Sequence, residues 1–235
     1  MITLAIESST ELGSLAIANQ ENGLLYSISW KRSRSHAETL TAEVESAVRF
    51  CNLEFEDIDF FSLGIGPGSF TGIRVGLNTV KTLAYATKKK TMVYDSLRIM
   101  AESLGLSKGK IVVIQNAFSN LLYFAKYEGT PRGLKVLTKP KLISASELEK
   151  NIPKGATVVG STFFDLAKPM QTKIKKKANL GSFGSRFPDA AVLAMCALSD
   201  FSPKKAKTWE DLSPLYIRAS AAEEKLANHE LKPVL

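Results

Sequence analysis

The sequence has few of the residues that build metal sites and disulfide frameworks: among 235 residues there are two histidines and two cysteines. Cys51 and Cys196 lie far apart, each inside an apolar helical pattern and without Cys-x-x-Cys spacing, so we expect buried, reduced thiols. The position four residues after His36 on the same predicted helix face is Leu40, which leaves that helix without a pair of metal-binding histidines. We therefore predict that the chain binds no metal ion through its own residues.

Long hydrophobic runs are also missing. No window approaches the roughly 18 consecutive apolar residues that a membrane-spanning helix needs. The apolar start, residues 1–6, has no basic region before it and no cleavage site after it. With 45% apolar and 23% charged residues, the composition is that of a globular protein long enough for one large domain or two small ones. We expect a cytoplasmic protein that has no membrane partner.

Basic residues outnumber acidic ones, and the formal net charge is +8. Clustered lysines favour a polyanionic partner. They are equally typical of a solvated surface, and no aromatic residues interleave with these lysines in the sequence as base-stacking platforms require. Both interpretations stay open. The clusters are Lys88-Lys89-Lys90, Lys173, Lys175-Lys176-Lys177 and Lys204-Lys205.

The hydrophobic periodicity predicts two α/β halves, the second a weaker repeat of the first. Mixed sheets covered by helices follow from this pattern, with any ligand in the cleft between the halves. The predicted strands are residues 3–7, 13–18, 24–30, 60–65, 91–94, 111–115, 121–127, 134–137 and 157–160. The predicted helices are residues 36–51, 72–87, 146–151 and 188–199, together with one capped by Ser96.

A glycine-rich loop between a predicted strand and a predicted helix is the strongest local signal. Gly66, Gly68 and Gly72 permit positive φ, and Pro67 stiffens the turn. The helix that follows presents its first N–H groups toward the loop, an arrangement that can hold a phosphate. The loop is therefore a candidate phosphate site.

Two catalytic interpretations of the loop are excluded. A Walker P-loop needs a Lys-Ser/Thr pair at a fixed spacing, whereas Ile73 and Arg74 follow Gly72. A nucleophile elbow needs glycines on both sides of Ser69, and Thr71 occupies one of those positions. The remaining alternative to a phosphate site is a tight strand-to-helix connection with Ser69 or Thr71 as the N-cap of the helix.

A carboxylate and three hydroxyls close the first predicted strand, at Glu7, Ser8, Ser9 and Thr10. This set can steady a nucleotide phosphate or a hydrated magnesium ion, and it is equally a polar hairpin turn. The sequence contains no credible catalytic triad and no carboxylate pair at an obvious spacing. We predict no catalytic residue in this chain.

Several segments together resemble the TsaB (YeaZ) family. The run Gly-Pro-Gly-Ser-Phe-Thr-Gly-Ile-Arg-Val-Gly at residues 66–76 looks like the hallmark of that family and is very specific. The resemblance covers the whole chain and is stronger before residue 105. The other matching segments are residues 4–10, 35–38, 95–97 and 214–218.

The resemblance implies an α/β fold of the actin-like ATPase (ASKHA) type, with two related βββαβα-type domains whose mixed sheets are flanked by helices. Residues 1–105 are expected to form the first domain, which carries the loop and the partner-binding helices. Residues 106–235 are expected to form a second, more divergent domain with a C-terminal tail. The His36 and Leu40 pattern fits the loss of a histidine pair that binds metal in the related catalytic subunit, TsaD.

The resemblance also implies a function. The chain is expected to be a non-catalytic scaffold or activator for threonylcarbamoyl transfer to N6 of the adenosine beside the tRNA anticodon. The implied partners are a TsaD-like catalytic subunit, a TsaE-like ATPase, tRNA through the complex and, for the chain alone, a second copy. No intrinsic cofactor is expected, and ATP or ADP is expected at the interface with the TsaD-like partner.

Two sets of residues carry these expectations. The residues expected near a phosphate or nucleotide are Glu7, Ser8, Ser9, Thr10, Gly66, Gly68, Ser69, Thr71, Gly72 and Arg74. The residues expected at the partner interface, on two amphipathic helices, are His36, Leu40, Val44, Val48, Ile73, Gly76, Leu77, Val80, Leu83 and Ala84. The alternative for the second set is that both apolar stripes pack on the chain's own sheet.

The chain departs from the family pattern at two places. Glu7 stands where Asp is usual, and residues 116–118 read Asn-Ala-Phe where Asp-Ala-Arg is usual. Both departures weaken the case for a ligand role of those segments. The alternative function is an autonomous actin-like ATPase or small-molecule kinase that uses residues 7–10 and 66–72 as phosphate contacts. A metallopeptidase lacks its metal ligands here.

Overall fold

Two five-stranded sheets organise the residues that the computed structural model describes, which are 1–31, 36–105 and 108–218. The strands of the first sheet are β1 (Ile2–Glu7), β2 (Leu12–Asn19), β3 (Gly23–Lys31), β4 (Phe60–Gly64) and β5 (Lys90–Tyr94). The strands of the second are β6 (Gly109–Asn116), β7 (Leu121–Thr130), β8 (Gly133–Ser144), β9 (Thr157–Val159) and β10 (Asn179–Leu180).

The two sheets have the same topology. The strand order is β3-β2-β1-β4-β5 in the first sheet and β8-β7-β6-β9-β10 in the second. In each, the first three strands form an antiparallel meander and the last two are parallel to the first strand. The repeat of one α/β unit that the sequence predicted is therefore confirmed.

Six α-helices cover the sheets in the described part of the chain. They are α1 (His36–Phe50), α2 (Phe70–Thr87), α3 (Ser96–Glu102), α4 (Leu148–Asn151), α5 (Lys168–Lys175) and α6 (Ala190–Asp200). β1, β2 and β4 are buried along almost their whole length, as expected for strands that helices cover on both faces. None of these helices is long and apolar enough to cross a membrane.

The first sheet lies between two helical layers. On one face, the apolar stripes of α1 and α2 pack on Leu4, Ile6 and their neighbours in β2. On the other face, Ala5 and the small residues of β2 pack against α6 through Leu193 and Ala194. The sheet is thus closed by a helix that follows the strands of the second half.

The second sheet is covered in the reciprocal way. Leu97 and Met100 of α3 pack on Ile111 and Val113 of β6, while α4 and α5 cover the opposite face. The final helix of each half therefore lies on the sheet of the other half. The expected division at residues 105 and 106 separates the two sheets but does not separate the helices that cover them.

Several details differ from the sequence predictions, among them three that concern helices. The cap of α3 is Asp95, whose carboxylate accepts the Arg98 N–H at 2.7 Å, so the cap predicted at Ser96 is one residue late. α6 begins at Ala190, and Asp189 caps it. α5 was not predicted, because its only buried residues are Gln171 and Ile174, too few to form an apolar period.

The two thiols are free, as predicted, and half buried. Burial raises the pKa of the Cys196 thiol to about 12, and burial also raises the pKa of Cys51. Both side chains therefore remain protonated near neutral pH and pack as small apolar groups.

Candidate functional site

A cleft of about 790 Å³ opens between the two sheets. Loops that follow β1, β4, β6 and β9 line it, so it lies at the carboxyl ends of the parallel strands, where α/β folds bind ligands. The lining residues are Ser9, Thr10, Glu11, Gly68, Ser69, Phe70, Thr71, Met100, Gln115, Asn116, Ala117, Phe118, Ser119, Tyr123, Ser161, Thr162, Asp165, Arg186, Phe187, Leu215, Tyr216, Ile217 and Arg218. The structure thus places a cleft where the sequence predicted one.

The glycine loop delivers the start of α2 to this cleft. Ser69 caps the helix by accepting the Gly72 N–H at 3.2 Å, and its own N–H donates to the Ser9 carbonyl at 2.6 Å. The N-cap role proposed for Ser69 is confirmed. The 18-residue helix directs the positive end of its dipole toward Ser69 and Thr71 at the cleft.

The three glycines of the loop serve two different purposes. Gly66 has φ +94°, as predicted, whereas Gly68 and Gly72 do not have positive φ. A Cβ at Gly68 would overlap the carbonyl oxygen of Ser9, and one at Gly72 would overlap that of Ser8. The second and third glycines are therefore needed because the loop and the β1–β2 turn touch backbone to backbone.

Glu7 does not reach the cleft. Its carboxyl group is fully buried, where one oxygen accepts the Ser9 N–H at 2.6 Å and the other accepts the Ser96 hydroxyl at 2.8 Å. It lies against Gly64, where a Cβ would overlap it. Burial raises the pKa of Glu7, and the hydrogen bonds from Ser9 and Ser96 offset that effect only in part.

The ten residues expected near a phosphate are thus divided by the structure. Ser8 is buried, and its hydroxyl donates to the Gly72 carbonyl at 2.9 Å. The residues of this set that line the cleft are Ser9, Thr10, Gly68, Ser69 and Thr71. The residues that do not are Glu7, Ser8, Gly66, Gly72 and Arg74.

Aromatic rings and arginines flank the cleft on two sides, which we call its rims; Phe70, Tyr216 and Arg186 line the cleft, and the other residues named here lie beside them. On the first rim, the Arg74 guanidinium lies 3.8 Å from the centre of the Phe70 ring, and Arg74 Nε donates to the Tyr216 hydroxyl at 2.9 Å. On the second rim, the Arg186 guanidinium lies between two rings, 4.1 Å from Phe164 and 4.5 Å from Phe183. Sequence reasoning missed the second group because its three residues are separated by the lysine-rich stretch at 168–177.

The segment at residues 214–218 crosses one end of the cleft, and we call it the strap. The Leu215 N–H donates to the Ile65 carbonyl at 2.9 Å, which ties the strap to the first half. Arg218 donates to the Ala117 carbonyl in the β6–β7 turn, which ties it to the second half. The divergent residues 116–118 therefore form part of the cleft and accept the end of the strap.

The residues expected at the partner interface are mostly internal. Leu40, Val80 and six others are buried, most of them in the core that α1 and α2 form with the first sheet, and Leu83 is half buried. The side chain of His36 lies outside the described residues. The other six are Val44, Val48, Ile73, Gly76, Leu77 and Ala84. The assignment of these eight buried residues to a partner interface is therefore corrected, because the apolar stripes of α1 and α2 pack on the chain's own sheet.

The opposite faces of the same helices are open to solvent. Short side chains such as Thr82 and Ala86 alternate there with larger ones, among them Phe50 at 69% exposure. Among the described residues, no cluster of three or more His, Cys, Asp or Glu side chains is arranged to hold a metal ion. The side chains that line the cleft supply hydroxyls, amides, aromatic faces and arginines, together with the carboxylates of Glu11 and Asp165.

Comparison with known proteins identifies relatives whose alignments cover most of the chain. The family model described as TsaD, tRNA N6-adenosine threonylcarbamoyltransferase, matches residues 30–226. The tRNA threonylcarbamoyladenosine biosynthesis protein TsaB of Escherichia coli (strain K12) is 24% identical over an alignment covering 98% of this chain and 100% of that protein.

Solved structures agree on the fold. An uncharacterized protein from Pseudomonas aeruginosa, described by its similarity to peptidase YeaZ, superposes with a TM-score of 0.76 at 20% identity, covering 92% of this chain and 99% of that one. The ethanolamine utilization protein EutJ from Carboxydothermus hydrogenoformans superposes with a TM-score of 0.50 at 11% identity, covering 83% and 89%. The actin-like α/β fold expected from the sequence is confirmed.

Proposed function

The chain belongs to the TsaB (YeaZ) family of TsaD relatives, and from that membership we propose that it is a non-catalytic subunit in the formation of tRNA threonylcarbamoyladenosine. In this proposal it binds and activates a TsaD-like catalytic subunit. The complex recruits a TsaE-like ATPase and receives the tRNA. The chain alone pairs with a second copy through the same surface.

The observation that supports a non-catalytic role is the position of Glu7. An actin-like ATPase places a carboxylate near a metal-bound phosphate, whereas Glu7 is enclosed between β1, Gly64 and Ser96. The carboxylates that line the cleft are Glu11 and Asp165, on opposite sides of it. Autonomous ATP hydrolysis is therefore disfavoured, and we assign ATP or ADP to the interface with the TsaD-like partner.

We place the partner surface on the outer faces of α1 and α2. These helices pack side by side on the first sheet and turn short side chains toward solvent, which permits close helix approach. Phe50 at one end adds an exposed ring that a partner can bury. The exposed positions are Thr41, Ala42, Glu45, Ser46, Arg49 and Phe50 on α1, and Arg74, Asn78, Thr82, Tyr85 and Ala86 on α2.

The substitution Thr82→Arg tests this surface. It places an unpaired charge at the centre of the proposed contact, where burial without a partner costs several kcal/mol, so affinity for the TsaD-like subunit should fall about a hundredfold or more. Isothermal titration calorimetry with that subunit measures the loss, and threonylcarbamoyl transfer to tRNA by the reconstituted mixture should fall with it.

Thr172→Arg is the matched control. Thr82 and Thr172 are both exposed helical threonines whose hydroxyls donate to the carbonyl four residues earlier, at 2.9 and 3.0 Å. Thr172 lies on α5, away from the proposed surface, so its substitution should leave the affinity unchanged. Equal behaviour of the two variants would contradict the proposed surface, and no gain of transfer activity on adding the wild-type chain would contradict the proposed function.

A further inference from the structure

Phe164, Phe183 and Arg186 form an exposed stack that we call the Arg186 platform. The guanidinium lies within 4.5 Å of both ring centres, so the three planar groups hold one another in place. Phe183 is 79% exposed and Phe164 is 49% exposed. Large rings left this open to water are unfavourable for the isolated protein, and they are typical of surfaces that bind another molecule.

The surroundings of the platform are strongly basic. Between residues 161 and 187 the sequence has six lysines and arginines and one carboxylate, Asp165. Lys173 pairs with Glu149, whereas Lys175 and Lys176 have no carboxylate within ion-pair distance among the described residues. The platform therefore stands in a positive field that a polyanion would neutralise.

Contacts place the lysine-bearing helix α5 beside the platform. The Gln171 amide donates to the carbonyls of Phe164 and Leu166 at 3.1 and 2.8 Å. The Lys175 ammonium lies 6.0 Å from the centre of the Phe163 ring, which in turn lies 5.4 Å from that of Phe164. The fold thus brings together the aromatic rings and the lysines that are separated in the sequence.

The platform is also continuous with the cleft, since Arg186 belongs to both and Asp165, next to Phe164 in the chain, lines the cleft. Protein–protein interfaces are depleted in lysine, whereas surfaces for single-stranded nucleic acids combine lysines with aromatic and arginine planes on which bases stack. The composition and the charge of the platform therefore favour RNA over a protein partner.

We propose that the Arg186 platform binds unpaired nucleotides of RNA directly, with bases stacked on Phe183 and Phe164 and phosphates paired with Lys175 and Lys176. This inference rests on the proposed function, which supplies tRNA as the substrate of the complex. It assigns to this chain an RNA contact of its own, separate from the outer faces of α1 and α2.

Fluorescence anisotropy with a labelled, unstructured oligoribonucleotide of roughly ten nucleotides tests the platform on the intact chain. Phe183→Ala should weaken binding about fivefold or more, because it removes one stacking surface. Arg186→Lys should weaken binding to a similar degree, since it keeps the charge but loses the planar guanidinium. Trp209→Ala, which removes an exposed ring that belongs to neither the platform nor the proposed partner surface, should have no effect.

The salt dependence of binding separates the lysines near the platform from others. Lys175→Gln combined with Lys176→Gln should reduce the magnitude of the slope of log affinity against log salt by about 1.4, because each phosphate contact on a single strand contributes about 0.7. The same pair of changes at Lys135 and Lys139, exposed on β8, should leave the slope unchanged. Equal slopes in the two double variants, or full affinity in Phe183→Ala or Arg186→Lys, would overturn the inference.

The same variants distinguish this inference from the proposed function. Phe183→Ala should bind the TsaD-like subunit with unchanged affinity, because the platform lies away from α1 and α2. If Phe183→Ala loses the protein partner instead of the oligoribonucleotide, the platform is a protein interface and the RNA assignment is wrong. If RNA binding is unaffected while Thr82→Arg still abolishes the complex, the proposed function stands without this inference.

Discussion

The buried carboxyl group of Glu7 joins three segments that are distant in the sequence. It ends β1, receives the Ser9 N–H from the turn that follows and receives the Ser96 hydroxyl from the start of α3. The Ser96 hydroxyl in turn accepts the Gly66 N–H at 3.2 Å. A single side chain thereby links the glycine loop to both β1 and α3, which is a structural role.

The sequence could not reveal this role, because a carboxylate followed by three hydroxyls is equally suited to a phosphate and to an internal network. The sequence identified the glycines of the loop but not the reason why each position requires glycine. Gly66 has the positive φ that glycine favours, whereas Gly68 is required by the approach of the Ser9 carbonyl, a contact between segments about 60 residues apart. Close backbone contacts of this kind leave no periodic signal.

Glu7→Gln should stabilise the folded protein relative to wild type, and this gain should increase as the pH rises. Burial raises the pKa of Glu7 above its ordinary value of 4.5, so the folded state holds the proton more tightly than the unfolded chain does. The stability that this tighter proton binding gives to the folded state is fully present below pH 4.5. It is lost as the pH rises through the pKa of Glu7 in the folded protein. Glutamine keeps a neutral hydrogen-bonding group at every pH.

Urea denaturation of both proteins across the pH range measures this difference. The gain in the free energy of unfolding should grow by up to about 1.4 kcal/mol per pH unit between the two pKa values. Glu21→Gln, at an exposed turn, is the control for the change of side chain and should alter the free energy of unfolding by no more than about 0.5 kcal/mol. A pH-independent difference between Glu7→Gln and wild type would mean that folding does not shift the pKa of Glu7.

Helices and strands were predictable where one face is apolar over several turns or where an apolar run is flanked by turn residues. α1 and α2 were identified from such stripes, and the stripes proved to pack on the first sheet. The sequence does not distinguish a stripe that meets its own sheet from one that meets a partner, which is why Leu40 and Val80 were assigned to an interface. α5 was missed because Ile174 is its one buried apolar residue.

Leu193→Ala tests the coupling of the two halves at the level of α6. Leu193 is fully buried between α6 and the first sheet, although α6 follows the strands of the second sheet. The substitution should lower the free energy of unfolding by about 2–5 kcal/mol, and the chain should still unfold in one transition because each sheet depends on a helix from the other half. Chemical denaturation followed by circular dichroism and by tryptophan fluorescence measures the free energy of unfolding and the number of transitions.

Met195→Ala is the control on the same helix. Met195 is 45% exposed, so its truncation should change stability by no more than about 0.5 kcal/mol. Two separate transitions in Leu193→Ala, one for each spectroscopic signal, would show that the halves unfold independently and that the exchanged helices do not couple them.

In the part of the chain that the structure describes, two exchanged helices and the strap hold a pair of similar sheets together. α3 lies on the second sheet, α6 lies on the first, and the strap joins the two halves beside the cleft. α3 and α6 also meet directly, because Asp200 accepts hydrogen bonds from Arg98 at 3.0 Å and from the Tyr94 hydroxyl at 3.1 Å. The other two connections are the packing of α3 and the packing of α6, so the strap is the connection that borders the opening of the cleft.

Tyr216→Ala should loosen the cleft at this connection while the fold persists. It removes the ring that stacks on Phe70 at 4.7 Å and the hydroxyl that accepts from Arg74, which together contribute about 1–2 kcal/mol. Hydrogen exchange should therefore accelerate at the Leu215 amide, which donates to Ile65, and at the amides of the glycine loop. Tyr85→Ala, which removes an exposed ring of α2 outside the cleft, should leave those amides unchanged. Unchanged exchange in Tyr216→Ala as well would mean that α3 and α6 hold the cleft by themselves, and that the strap only lies across it.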